Sequence, residues 1–167
     1  MLADIYNYQP ISETLATAGQ PTEDQFAVIR DAGFEVVINL APTTPGKTLP
    51  NEKSVVEGLG MMYVLIPVAW QAPAVGDFTQ FQAVLAEQTD SRIFIHCVAN
   101  MRVSAFVYLH QRLQGISHAE AAQPLHAIWT PNEIWQAFIQ RMIEQSLKDR
   151  GTIFFESPLA KKRRDRT

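Results

Sequence analysis

Apolar residues in this chain follow two rhythms. Short runs rich in branched side chains alternate with longer stretches in which apolar residues recur every three or four positions. The first rhythm predicts buried strands and the second amphipathic helices. Residues 4–18 read as one or two short strands, with Thr14 to Ala18 leading into the turn Gly19-Gln20-Pro21. Thr22 is placed to cap a helix whose Phe26 and Ile29 face inward, with Val28 as a further candidate for that face, and which Gly33 ends. Phe34 to Leu40 and Met62 to Val68 lack polar alternation over their apolar halves and predict interior strands, the first of them parallel. Between them lie a turn-rich loop from Pro42 to Pro50 and a short helix over Asn51 to Leu59, closed by Gly60. Asp77 heads a helix with Phe78, Phe81 and Leu85 on one face. Ser117 is placed to cap another helix. Thr130-Pro131 starts a long last one with Ile134, Trp135, Phe138, Ile139, Met142 and Ile143 as a wide apolar stripe. The alternation predicts an α/β sandwich with a largely parallel central sheet flanked by helices, in one domain over residues 1–160.

The centre of this pattern is Arg92 to Gln114, RIFIHCVANMRVSAFVYLHQRLQ. It reads as a strand ending at His96 and Cys97, a short polar loop, and a helix on which Val103, Phe106, Val107 and Leu113 recur. Such a junction gathers loop amides and the free N–H groups of a first helical turn on one spot, where an anion is favoured. A cysteine placed there is a good nucleophile. Arg102 adds a planar fork that matches two oxygens of a phosphate or sulfate.

Composition narrows the classes. No apolar run is long enough to span a bilayer, and residues 1–4 have no secretory character, so a cytoplasmic protein is expected, with export from a longer precursor left open. A single cysteine excludes an internal disulfide framework and a cysteine-cluster metal site. The formal charge is −3, yet five of the fourteen Lys and Arg lie in Lys161 to Arg166. Residues 1–160 thus set nine basic side chains against sixteen acidic ones, which argues against nucleic acid as a partner. The KKRRDR end over 161–167 reads as a disordered basic tail.

The stretches TLATAGQPTEDQFAVIRDAGFEVVINL, residues 14–40, and IHCVANMRVSAFVYL, residues 95–109, resemble the bacterial cysteine-dependent protein tyrosine and dual-specificity phosphatases. The likeness is to the small phosphatase-like domain also found fused to β-lactamase-like hydrolases or to NAD kinase. The resemblance implies a phosphatase-like fold and a hydrolase that needs neither cofactor nor metal. Its substrate would be a phosphorylated protein or a small phosphate ester. It also implies that Cys97 attacks phosphorus and forms a phosphocysteine. The amides of Val98, Ala99, Asn100, Met101 and Arg102, with the Arg102 guanidinium, would form the phosphate-binding loop; His96 would orient it and Ser104 would ease breakdown of the intermediate.

Three departures qualify this. The family pattern has five residues between cysteine and arginine and usually a glycine; here there are four, Val98 to Met101, and no glycine, although Ser104 keeps its place seven residues after Cys97. The family's aspartate after the preceding strand is replaced by Ala69-Trp70-Gln71, which leaves Asp77 as the nearest candidate acid. Asp77 also reads as a helix cap, since Asp77-Phe78-Thr79-Gln80 has capping-box spacing. Trp70 either walls the pocket or packs on the sheet. His110 reads as a core residue, and His118 and His126 lack the spacing of a helical zinc pair. Two other readings stand beside the hydrolase. One is a rhodanese-like sulfurtransferase, whose loop is often one residue shorter; the other is a phosphate- or phosphopeptide-binding module without turnover.

Overall fold

The computed structural model describes residues 1–155, with side chains described to residue 151; the basic tail expected over 161–167 lies outside these residues. After a 3-10 turn at Leu2–Asp4 the elements are β1 (Gln9–Pro10), β2 (Leu15–Ala18), α1 (Glu23–Asp31), β3 (Val36–Asn39), α2 (Glu52–Gly58), β4 (Met62–Leu65), α3 (Val75–Glu87), β5 (Ile93–His96), α4 (Met101–Leu113), α5 (His118–Ile128) and α6 (Glu133–Phe155). The sheet order is β1-β2-β5-β3-β4, parallel except for β1.

Every residue of β3 and β5 is buried, as expected of strands covered on both faces. One face carries Val36, Ile38, Ile93 and Ile95 under α3 to α6, with Phe78, Phe81, Phe106, Trp135 and Phe138 filling the space. The other carries Ala16, Ala18, Val37 and Phe94 under α1 and α2, with Phe26, Ile29 and Val56. In the register, His96 stands opposite both Ala18 and Asn39. Three carboxyl strand ends therefore lie level beneath the loop that follows β5.

The helix signals at Thr22, Gly33, Gly60 and Ser117 act as read: Thr22 and Gln25 form a capping box, Ser117 Oγ accepts from the Glu120 amide, and Gly33 and Gly60 have positive φ. Three expectations are corrected. Met62 to Val68 is not an interior strand: β4 is an edge, and Met62 and Leu65 are exposed, because hydrophobicity along a run does not say whether a second neighbour pairs with it. Asp77 is not a cap, since α3 begins two residues earlier with Ala74 at the N-cap. Asp77 lies in the first turn, where a carboxylate suits the helix dipole. The last helix starts at Glu133, and of its stripe only Ile134 is exposed, while Trp135, Phe138 and Met142 are buried and Ile139 and Ile143 pack against the core.

Candidate active site

Cys97 directly follows β5 and is buried. The chain then turns into α4 through Asn100, whose φ of +64° takes the left-handed conformation that a glycine most readily supplies. Asparagine is among the few other residues that visit this region. Its side chain is also used: Nδ2 donates to the Asn7 carbonyl at 2.8 Å and to Thr17 Oγ1 at 3.0 Å, while Asn7 Nδ2 donates to the Ala99 carbonyl at 3.0 Å. On the other flank the Val98 carbonyl accepts from the Gln20 amide at 2.9 Å. The two segments pass so close that a Cβ on Gly19 would stand 2.7 Å from the Val98 oxygen. The loop is thus clamped by the N-terminal segment, with the unpaired amides of the first turn of α4 at its end.

Above the loop lies a hollow of about 360 Å³ lined by Thr44, Lys47, Trp70, Cys97, Val98, Ala99, Met101 and Arg102. Its two charged side chains, Lys47 and Arg102, are both cationic. Arg102 Nε donates to the Val68 carbonyl at 2.9 Å, and its guanidinium carbon lies 5.2 Å from the Trp70 ring centroid. So fixed, the guanidinium shares the hollow with Cys97, close enough for the two groups to interact electrostatically. Burial lowers the Arg102 pKa from its ordinary value, and the neighbouring Cys97 opposes that shift. The four-residue spacing therefore brings the fork to the cysteine. Trp70 both walls the hollow and packs, with ring centroids 5.3 Å from Trp129 and 5.6 Å from Trp135.

His96 lies behind the loop, fully buried. Its Nδ1 is 3.2 Å from the Cys97 carbonyl, and its Nε2 is 2.6 Å from Glu52 Oε1. Glu52, only 3% exposed, accepts from Gln20 Nε2 at 2.7 Å on its other oxygen. Tyr63 also reaches this carboxylate, and its hydroxyl accepts from Asn39 Nδ2 at 3.1 Å. Burial pushes the Tyr63 pKa up to about 12.

Of the residues singled out from sequence, Trp70, Cys97, Val98, Ala99, Met101 and Arg102 meet at the hollow. His96 and Asn100 support the loop from behind. The Ser104 hydroxyl is occupied elsewhere: it donates to the Met101 carbonyl at 3.0 Å and accepts from Trp129 Nε1 at 3.1 Å. Neither Ser104 nor Asp77 lines the hollow. Thr44, Lys47, Gln20 and Glu52 were not anticipated. Thr44 and Lys47 stand in a loop without periodicity, and Glu52 looks like an ordinary first-turn acid. Among the described residues no group of three or more His, Cys, Asp or Glu is placed to hold a metal ion.

The profile of a family described as DSP-PTPase phosphatase fused to NAD+ kinase matches residues 4–144. The chain belongs to that family. This chain is similar to a putative phosphatase (DUF442) of Shewanella putrefaciens CN-32, whose crystal structure superposes with a TM-score of 0.79 at 35% identity over 87% of this chain and 96% of the other. It is also similar to the β-lactamase hydrolase-like protein of Agrobacterium fabrum, at 34% identity over 110 residues, 63% of this chain. The match spans about a quarter of that protein's length, 25%. The crystal structure of Tk-PTP in its active form shares the fold at 17% identity, with a TM-score of 0.70 over 83% of this chain and 97% of the other. The family thus carries the α/β phosphatase fold read from the sequence.

Proposed function

We propose that this member of the phosphatase family is a phosphate-monoester hydrolase with Cys97 as nucleophile. The observation that carries this reading is the Arg102 guanidinium held beside Cys97 at the amino end of α4, in a hollow whose charged residues are both cationic. A phosphoryl group entering it meets the first-turn amides and the Arg102 fork on its equatorial oxygens. Cys97 Sγ attacks phosphorus, the ester oxygen departs, and water then hydrolyses the S–P bond to return the cysteine and release phosphate. Lys47, at the rim, favours an anionic substrate, either a phosphorylated protein or a small phosphate ester. With no carboxylate among the described residues that line the hollow, the departing oxygen takes its proton from water, and esters of acidic alcohols react fastest.

The test is hydrolysis of p-nitrophenyl phosphate across pH, with Cys97→Ser as control. Turnover that vanishes in the variant supports the reading; turnover that survives it removes Cys97 as nucleophile. Sulfur transfer is a second reading, favoured by the four residues between Cys97 and Arg102. Formation of a Cys97 persulfide in thiosulfate, in protein inert toward the phosphate ester, selects it.

A further inference from the structure

Both ring nitrogens of the buried His96 face oxygen acceptors: Nδ1 the Cys97 carbonyl at 3.2 Å, and Nε2 Glu52 Oε1 at 2.6 Å. A neutral imidazole has one N–H and one lone pair, so beside a carboxylate it satisfies only one of these contacts. The other would set lone pair against lone pair at a fully buried histidine, which is costly. Both contacts are made when one further proton resides in the 2.6 Å bond. The surroundings decide which partner keeps it. Gln20 Nε2 donates to Glu52 Oε2 at 2.7 Å. Tyr63 accepts from Asn39, so its own hydroxyl proton is free to turn toward Glu52, which lines the same pocket. Donors aimed at a carboxylate favour its ionised form.

We propose that Glu52 is a positioning residue for the nucleophile. By holding His96 as an imidazolium, it fixes the Cys97 carbonyl and keeps a positive charge on the residue that bonds the nucleophile's own backbone, in addition to Arg102. This rests on the reading of Cys97 as the nucleophile. The titratable and charged groups around the pair are Tyr63 from β4 and Lys53 from α2, which share a pocket with Glu52, and Cys97, with Arg102 from α4 and Lys47 from the loop before α2 at the hollow. From α1 only the Phe26 ring meets His96, its centroid 6.0 Å away, and β3 contributes the Asn39 amide.

The experiment is titration of the thiolate by its ultraviolet absorbance, with Cys97→Ser as blank, since the chain has a single cysteine. Glu52→Gln is nearly isosteric, and its amide spans the same gap to a neutral imidazole. It therefore keeps the packing and removes only the reason for the extra proton. The expected result is a rise in the midpoint of thiolate formation, since removing a nearby positive charge disfavours the thiolate. An unchanged midpoint in folded Glu52→Gln protein would overturn the proposal. Should that variant not fold, the nitrogen NMR signals of His96 in the unaltered protein decide. Two protonated ring nitrogens at neutral pH uphold the proposal, and one bare nitrogen sinks it. Neither readout needs turnover. A shifted midpoint in protein inert toward p-nitrophenyl phosphate keeps the role of Glu52 and removes the hydrolase; Cys97-dependent turnover with an unmoved midpoint does the reverse.

Discussion

Replacing Asn100 by alanine removes two things at once, and the structure allows them to be separated. The first is backbone tolerance: φ is +64°, and an ordinary L-residue in the left-handed region costs about 1 kcal/mol more than one suited to it. The second is a pair of buried hydrogen bonds, to the Asn7 carbonyl and to Thr17 Oγ1, each contributing about 1 kcal/mol. Against these stands a gain, because Asn100 Oδ1 is buried without a partner and its removal returns about 1 kcal/mol. The net expectation for Asn100→Ala is a loss of about 2 kcal/mol, or a fall in Tm of roughly 4–8 °C for a chain of this length. Asn100→Gly loses the same hydrogen bonds without the backbone cost, a loss of about 1 kcal/mol to which the extra freedom of glycine in the unfolded chain adds about 0.5 kcal/mol, so it should remain the more stable of the two variants. Urea denaturation of the two variants beside the unaltered protein measures both terms. Equal stability of the alanine and glycine variants would refute the backbone argument. An alanine variant as stable as the parent would refute the clamp altogether.

Further outcomes follow from the same geometry. Arg102→Lys keeps the charge but loses the fork and the Nε bond to Val68, so the affinity for inorganic phosphate, read by titration calorimetry, should fall about tenfold, the worth of one charge-assisted bond; equal affinity would show that the fork does not grip the anion. Gly19→Ala places a methyl 2.7 Å from the Val98 carbonyl, a backbone atom that cannot swing aside, and should destabilise by about 1–3 kcal/mol while opening the loop. A neutral result in urea denaturation would mean that the two segments move apart freely. Tyr63 has its pKa pushed from the ordinary 10.0 up to about 12, chiefly by burial. A raised value means stability that is complete below pH 10 and is lost as pH climbs toward 12. Tyr63→Phe should lack that alkaline loss in denaturation midpoints measured at stepped pH, and an identical decline in both proteins would trace it to other groups.

What the chain determined by itself is the local chemistry. Branched runs made β3 and β5 strands. Thr22 and Ser117 set helix starts, and Gly33 and Gly60 set ends, because each acts on groups within a few residues of itself. The strand, loop and helix around Cys97 were legible for the same reason, and so was the phosphatase-type fold of the family. Tertiary structure decided everything that depends on a distant neighbour. Whether β4 lay inside the sheet or at its edge turned on a partner strand that hydropathy does not name. Asp77 lost its place as a cap because α3 begins at Val75, and Ser104 is engaged by Trp129 from across the fold. The loop was read as altered because it lacks glycine and is short by one. In the structure Asn100 supplies the left-handed turn, and Val68 and Trp70 return Arg102 to the cysteine. Glu52 was invisible for the most general reason. Its sequence neighbours make it a solvated helix residue, and only packing α2 over the carboxyl ends of β3 and β5 strips its water and leaves Gln20, Tyr63 and His96 to replace it.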